Sequence, residues 1–217
     1  MRMKNLLFEQ LAVKLHDLSK TDSSLSLPVV PPNRKSPNFI KTIDPSTYSS
    51  AAVLICCYPK LSGQFYFPII KRQKYKGVHA NQMGLPGGKP QSSDASLWET
   101  ALRECEEELG INTQSIQYVG KLSDVFIPPS QFRVTPFVAK LNRTPPRFVL
   151  QQREVAKVYS VSLKQLQSWV VSYQKMNLTS TSTDMPGFDL ESEFIWGATA
   201  MILFEFKEIL NELIVGI

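Results

Sequence analysis

The stretch MGLPGGKPQSSDASLWETALRECEEELGI, residues 83–111, sets a Gly-Gly turn ahead of a segment carrying Glu99, Glu104, Glu106, Glu107 and Glu108. The chain as a whole has a formal net charge of +5, so this local concentration of negative charge needs a reason. Ser96 followed three residues later by Glu99 forms a capping box, which predicts a helix beginning at about Leu97. Gly110 supplies the stop. At about 100° per residue, Glu104, Glu107 and Glu108 share one ridge, while Trp98, Ala101, Leu102, Cys105 and Leu109 form the buried face beside it. Like charges at these spacings repel by a few tenths of a kcal/mol per pair, and the negative end of the helix macrodipole adds to the conflict. A hard divalent cation on Glu104, Glu107 and Glu108 would remove it. A solvated acidic face is the competing reading. Arg103 is spaced to orient one carboxylate through a bidentate bond. Upstream, Gly87 and Gly88 let backbone approach a ligand closely, with Lys89 beside them.

The remaining sequence frames this segment. Its 217 residues, 43% hydrophobic and 20% charged, suffice for one globular domain with a proper core. No apolar run is long enough to span a bilayer, and the apolar stretch at the start is too short for a secretory signal, so a cytoplasmic location is expected. Cys56, Cys57 and Cys105 make no disulfide framework and are expected to be buried, reduced thiols. With two histidines and no Cys-x-x-Cys pair, no zinc site is expected. The pI near 9.1 invites a nucleic-acid reading. Yet the basic residues are scattered, apart from the segment Lys71 to Lys76, which suits an anionic small molecule at least as well. Neither a nucleic-acid nor a membrane partner is expected.

Residues 4–19 have helical apolar spacing, and 21–50 read as an extended connector rich in Ser, Pro, Thr and Asn. Strands are expected at 51–58 and 65–72, joined as a hairpin, and at 116–125, 133–141 and 154–163. A helix is expected at 197–213, and TSTST near 179–183 is the one low-complexity patch. The economical architecture is a mixed sheet flanked by helices.

Gly88, with Arg103-Glu104-x-x-Glu107-Glu108-x-Gly110-Ile111 after it, resembles the Nudix box of Nudix hydrolases. The front half is one residue longer than the general pattern, so Asp94 stands in for the usual glutamate. The longer spacing and the run Lys76 to Gly88 resemble the coenzyme A pyrophosphatase branch, although Asn81 replaces a glycine and Gln91 an acidic residue. Asn tolerates positive φ next best after glycine, so the turn can survive. Pro128-Pro129-Ser130 with Val134 to Val138, Glu154-Val155, and Ile195 to Ala200 also resemble that branch. The resemblance spans roughly residues 50 to 205; residues 1–45 are set apart as helix and connector, with the hydrolase domain over 46–217.

The resemblance implies an α/β/α sandwich with a mixed sheet between helices, and hydrolysis of a diphosphate linked to another group. For the coenzyme A branch the products are adenosine 3′,5′-bisphosphate and 4′-phosphopantetheine. Mg²⁺ or Mn²⁺ would sit on Glu104, Glu107 and Glu108. Arg103, Glu104 and Glu107 form the catalytic set, with Glu104 or Glu107 as general base. Arg72, His79, Gln82, Gly87, Gly88 and Lys89 are the candidate substrate contacts, although His79 reads equally as a structural hydrogen-bonding residue. A homodimer is compatible with this reading. Other nucleoside diphosphate derivatives (a nucleoside triphosphate, ADP-ribose or a dinucleotide polyphosphate) form the alternative. A ligand-sensing module without turnover is a third reading, which the intact glutamate set opposes.

Overall fold

A computed structural model describes residues 2–18, 29–32, 44–74, 81–142, 146–177 and 182–215. His79 and Lys76 lie outside them, as does most of the connector. The elements in chain order are α1 (Arg2–Leu18), β1 (Ser49–Pro59), β2 (Phe65–Arg72), β3 (Met83–Gly84), β4 (Gly87–Gly88), α2 (Leu97–Leu109), β5 (Ile116–Lys121), β6 (Val125–Ile127) and β7 (Phe132–Leu141). They continue with β8 (Val155–Ser162), α3 (Leu163–Ser168), β9 (Ser172–Asn177), β10 (Ser182–Leu190), β11 (Glu193–Trp196) and α4 (Gly197–Val215).

The central strand is β1, and its near-continuous apolar sequence is that of a strand covered on both faces. Ala52, Leu54, Cys56 and Tyr58 point into a core shared with Ala101, Cys105 and Leu109 of α2. Ala51, Ile55 and Cys57 point into a larger core with Phe8, Leu11 and Leu15 of α1 and Ile202, Leu203 and Phe206 of α4. The result is a mixed eight-stranded sheet between α2 on one face and α1 with α4 on the other. β1 runs parallel to β7 and antiparallel to β2, with Tyr58 opposite Tyr66 across the expected hairpin. β4 pairs with the start of β1, placing Gly88 opposite Ala52 and Gly87 opposite Val53. The three cysteines are free and buried.

Three differences from the sequence reading have physical causes. The strand expected over 116–125 breaks after Lys121, because Ser123 turns its N–H and hydroxyl to the buried Glu205 carboxylate of α4. A second sheet, ordered β11-β10-β9, was not anticipated. Its middle strand carries Pro186 and Gly187, residues that argue against a strand. Gly187 is nonetheless required, since a Cβ there would stand 2.1 Å from the Ile195 carbonyl oxygen of β11. Finally, the N-terminal helix set apart by sequence is packed into the domain: Leu11 and Leu15 are 0% and 1% exposed. No helix among the described residues is long and apolar enough to cross a membrane.

Candidate active site

Helix α2 forms where its caps dictate. Ser96 accepts the Glu99 N–H at 3.2 Å, Glu99 reaches back to the Ala95 N–H at 2.7 Å, and Gly110 ends the helix at φ 67°. The ridge of this helix faces β4. Gly87 has φ 152°, and a Cβ there would meet the Ala52 carbonyl oxygen at 2.2 Å, so only glycine lets β4 lie this close to β1. At Gly88 a Cβ would stand 2.4 Å from Glu104 Oε1. The Gly-Gly pair thus clears the space into which Glu104 projects.

Glu108 has no exposed surface. Its Oε1 receives the Arg72 guanidinium at 3.0 Å and its Oε2 receives the Gly87 N–H at 2.9 Å. Burial pushes its carboxyl up to about 7, against the opposing pull of Arg72 and the Gly87 N–H. Burial also raises the Glu104 carboxyl, with Arg103 opposing. Arg103 is the organiser of the ridge. It grips Asp94 through Nε and Nη2, both at 3.0 Å, and donates Nη1 to Glu104 at 2.9 Å and to Glu107 at 3.1 Å. Its Nη2 also donates to the Lys89 carbonyl oxygen at 2.9 Å, which fastens the turn to the helix. Asp94 additionally accepts from Thr100 and the Gln91 N–H, and the Arg103 guanidinium holds its carboxyl far below the usual carboxylate range.

Glu154 joins the site from another part of the chain. The β2–β8 ladder slips by one residue between Lys71 and Arg72, and the Gln73 N–H then bonds the Glu154 carbonyl at 2.8 Å. Irregularities of this kind re-aim side chains beside functional sites. Carboxylate oxygens of Glu104, Glu108 and Glu154 lie within 4.8 Å of one another. Glu107 stands apart from that trio, half exposed and bonded to Arg103. In the sequence Glu154-Val155 stands out only through the resemblance, since nothing local marks Glu154 as a ligand.

The candidate substrate contacts divide. Gly87 and Gly88 line the carboxylate group, and Lys89 is exposed with its ammonium 4.8 Å from the centre of the Phe132 ring. Asn81 takes the positive φ that its place in the turn demands, at 60°. Gln82 is partly exposed, and its carbonyl accepts the Arg72 N–H at 3.0 Å. Arg72 itself is turned to Glu108 and to the Gly87 carbonyl, while Lys71 is paired with Glu193 at 2.5 Å.

Three converging carboxylates fit a hard divalent cation. The missing Cβ of Gly88 lets the Glu104 carboxylate reach into that group, and a side chain there would displace it. An α-helix whose glutamates meet a Gly-Gly turn on a mixed sheet defines a hydrolase of the Nudix class. Comparison with known proteins agrees: the NUDIX domain family model matches residues 50–177, more than half of the chain. The chain belongs to the Nudix family and is a Nudix hydrolase. It is 32% identical over 162 residues to NudL of Yersinia pestis strain Pestoides F, an uncharacterized Nudix hydrolase, covering 73% of this chain and 78% of that one. Among solved structures, RenU, a Nudix hydrolase from M. smegmatis, aligns with TM-score 0.51 at 17% identity over 78% of this chain and 87% of its own. A MutT/nudix family protein from Enterococcus faecalis aligns with TM-score 0.51 at 15% identity, over 97% and 74%. At these identities the two structures support the fold.

Proposed function

We propose that this Nudix hydrolase cleaves the diphosphate of coenzyme A or its derivatives, releasing adenosine 3′,5′-bisphosphate and 4′-phosphopantetheine. The observation that carries a diphosphatase reading is the carboxylate trio set against Gly88. Glu104 and Glu108 with Glu154 would hold Mg²⁺ or Mn²⁺, and Glu107, joined to Glu104 through Arg103, borders that group. A cation bound there would polarise the phosphoryl oxygens and activate water. Arg103 fixes Glu104 and Glu107 relative to each other, and one of them takes the proton of the attacking water. Water oxygen bonds to phosphorus as the bridging P–O bond breaks. Lys89, Gln82 and His79 are the candidate contacts to the substrate.

Two sequence features support coenzyme A over other nucleoside diphosphate derivatives. The run Lys76 to Gly88 resembles the coenzyme A branch, and its substituted Asn81 adopts the positive φ expected of a glycine there. Asp94 takes the place of the displaced glutamate and is gripped by Arg103 as such a residue should be. The test is product analysis by mass spectrometry after incubation with coenzyme A, ADP-ribose, a dinucleotide polyphosphate and nucleoside triphosphates, each with Mg²⁺ and with Mn²⁺. Adenosine 3′,5′-bisphosphate should dominate. Faster turnover of any other member of the panel would replace coenzyme A, and no metal-dependent product from any of them would favour a sensing module.

A further inference from the structure

The position of Arg72 at the end of β2 suggests a phosphate contact, but its side chain is engaged elsewhere. We infer that Arg72 is a positioning residue: with Glu108 it clamps the Gly87 peptide on both sides and holds Gly87–Gly88 against the Glu104 carboxylate. Three hydrogen bonds close a ring. Arg72 Nη1 donates to Glu108 Oε1 at 3.0 Å, Arg72 Nη2 donates to the Gly87 carbonyl at 3.0 Å, and the Gly87 N–H donates to Glu108 Oε2 at 2.9 Å. Both backbone polar groups of Gly87 are thereby fixed by one arginine–carboxyl pair.

Gly87 has no room to yield on its other side. Its missing Cβ would overlap the backbone of Ala52 and Val53, at 2.2 and 2.6 Å. The residue is held between β1 and the clamp, so its successor Gly88 is set where Glu104 projects. The main chain of Arg72 is tied to the same segment through Gln82. A planar fork reaching two acceptors at once is a property of guanidinium, and a lysine ammonium cannot reproduce it. Were Arg72 a phosphate contact, lysine would retain much of its effect as a point charge.

This inference rests on the Nudix reading of the carboxylate site but on no particular substrate, and its test is built accordingly. In metal-free protein, Arg72→Lys and Arg72→Gln should each speed hydrogen exchange across residues 83–89 by about tenfold or more, local opening being set by the bonds that close it. Mn²⁺ affinity, read by electron paramagnetic resonance, should fall about tenfold in both, as for lost outer-shell partners. With whichever diphosphate substrate the panel identifies, kcat should fall about 100-fold, the scale of a small misplacement at a reacting centre. KM should stay within about threefold, the pattern of lost transition-state positioning. Unchanged exchange, or a raised KM with kcat kept by Arg72→Lys, would make Arg72 a substrate contact and overturn the inference. Should the variants not fold, ¹⁵N spectra of the wild type decide. Slowly exchanging Arg72 guanidinium signals without ligand support the clamp, and their absence overturns it. Failure of the coenzyme A assignment would leave the exchange, Mn²⁺ and ¹⁵N results untouched.

Discussion

Glu108 shows how one buried carboxyl ties the chemistry of this site to its stability. In the fold its carboxyl keeps a proton up to about 7, against an ordinary value of 4.5. Between those values the native state binds more protons than the unfolded chain, so stability falls as pH rises through the window. The contribution is about 3 kcal/mol at most. Glu104 and Glu205, also raised by burial, act in the same direction. Urea unfolding in a chelator should therefore show lower stability at pH 8 than at pH 5, with the slope visibly reduced in Glu108→Gln. An unchanged slope in that variant would mean that Arg72 and the Gly87 N–H keep Glu108 ionised. Its neighbours differ in their expected weight. Glu154→Gln should weaken Mn²⁺ binding at least about tenfold, and Glu107→Gln less, because only Glu154 belongs to the close trio. An order of affinities reversed between the two variants would restore Glu107 to the primary ligand set. The ridge of Glu104, Glu107 and Glu108 was legible from helical spacing alone. Glu154 was not, because its approach depends on a slip in the ladder between β2 and β8, strands distant in sequence, that no local pattern announces.

At the scale of elements, α2 was readable to the residue because both its ends carry side-chain chemistry: Ser96 with Glu99 at one, Gly110 at the other. Ser96→Ala should cost about 1 kcal/mol of stability with little change in KM, since the cap orients the helix without reaching the carboxylates; chemical denaturation against steady-state kinetics checks both. A cost near zero would show that Asp94 and Arg103 fix the helix start unaided. β1, β2, β7 and β8 were readable from their runs of β-branched and aromatic residues. The β9–β11 sheet was hidden, since Tyr173, Gln174 and Lys175 of β9 are exposed and form no apolar run, and Pro186-Gly187 breaks the run that follows. What holds that sheet in place is tertiary: Phe188 and Leu190 of β10 and Ile195 of β11 are buried in the same core as Leu203 and Phe206 of α4, and Glu193 of β11 pairs with Lys71. Such contacts lie outside any window of sequence.

At the scale of the whole molecule, the first helix packs into the main core although the sequence sets it apart with its connector. Its apolar residues have helical spacing, yet residues 1–45 lie outside the family resemblance, and the NUDIX match begins at residue 50. In the fold, Phe8, Leu11 and Leu15 belong to the same core as Val138, Val161 and Phe206. Leu15 lies over Gly120 of β5, where an added Cβ would stand 2.6 Å from its own. Phe8 meets Phe65 edge-on at 4.7 Å, and Lys14 pairs with Glu212 of α4. The exposed ion pair contributes little; the buried side chains carry the energy. Leu15→Ala should cost about 2 to 5 kcal/mol, a large share of the stability of a domain of this size. Removing residues 1–18 strips this cover from β5 and should leave protein that is poorly soluble or molten, by near-ultraviolet circular dichroism, while the catalytic face around α2 is untouched in sequence. A truncated protein that unfolds cooperatively, with the wild-type midpoint and full metal-dependent turnover, would make the helix an accessory to the hydrolase domain after all.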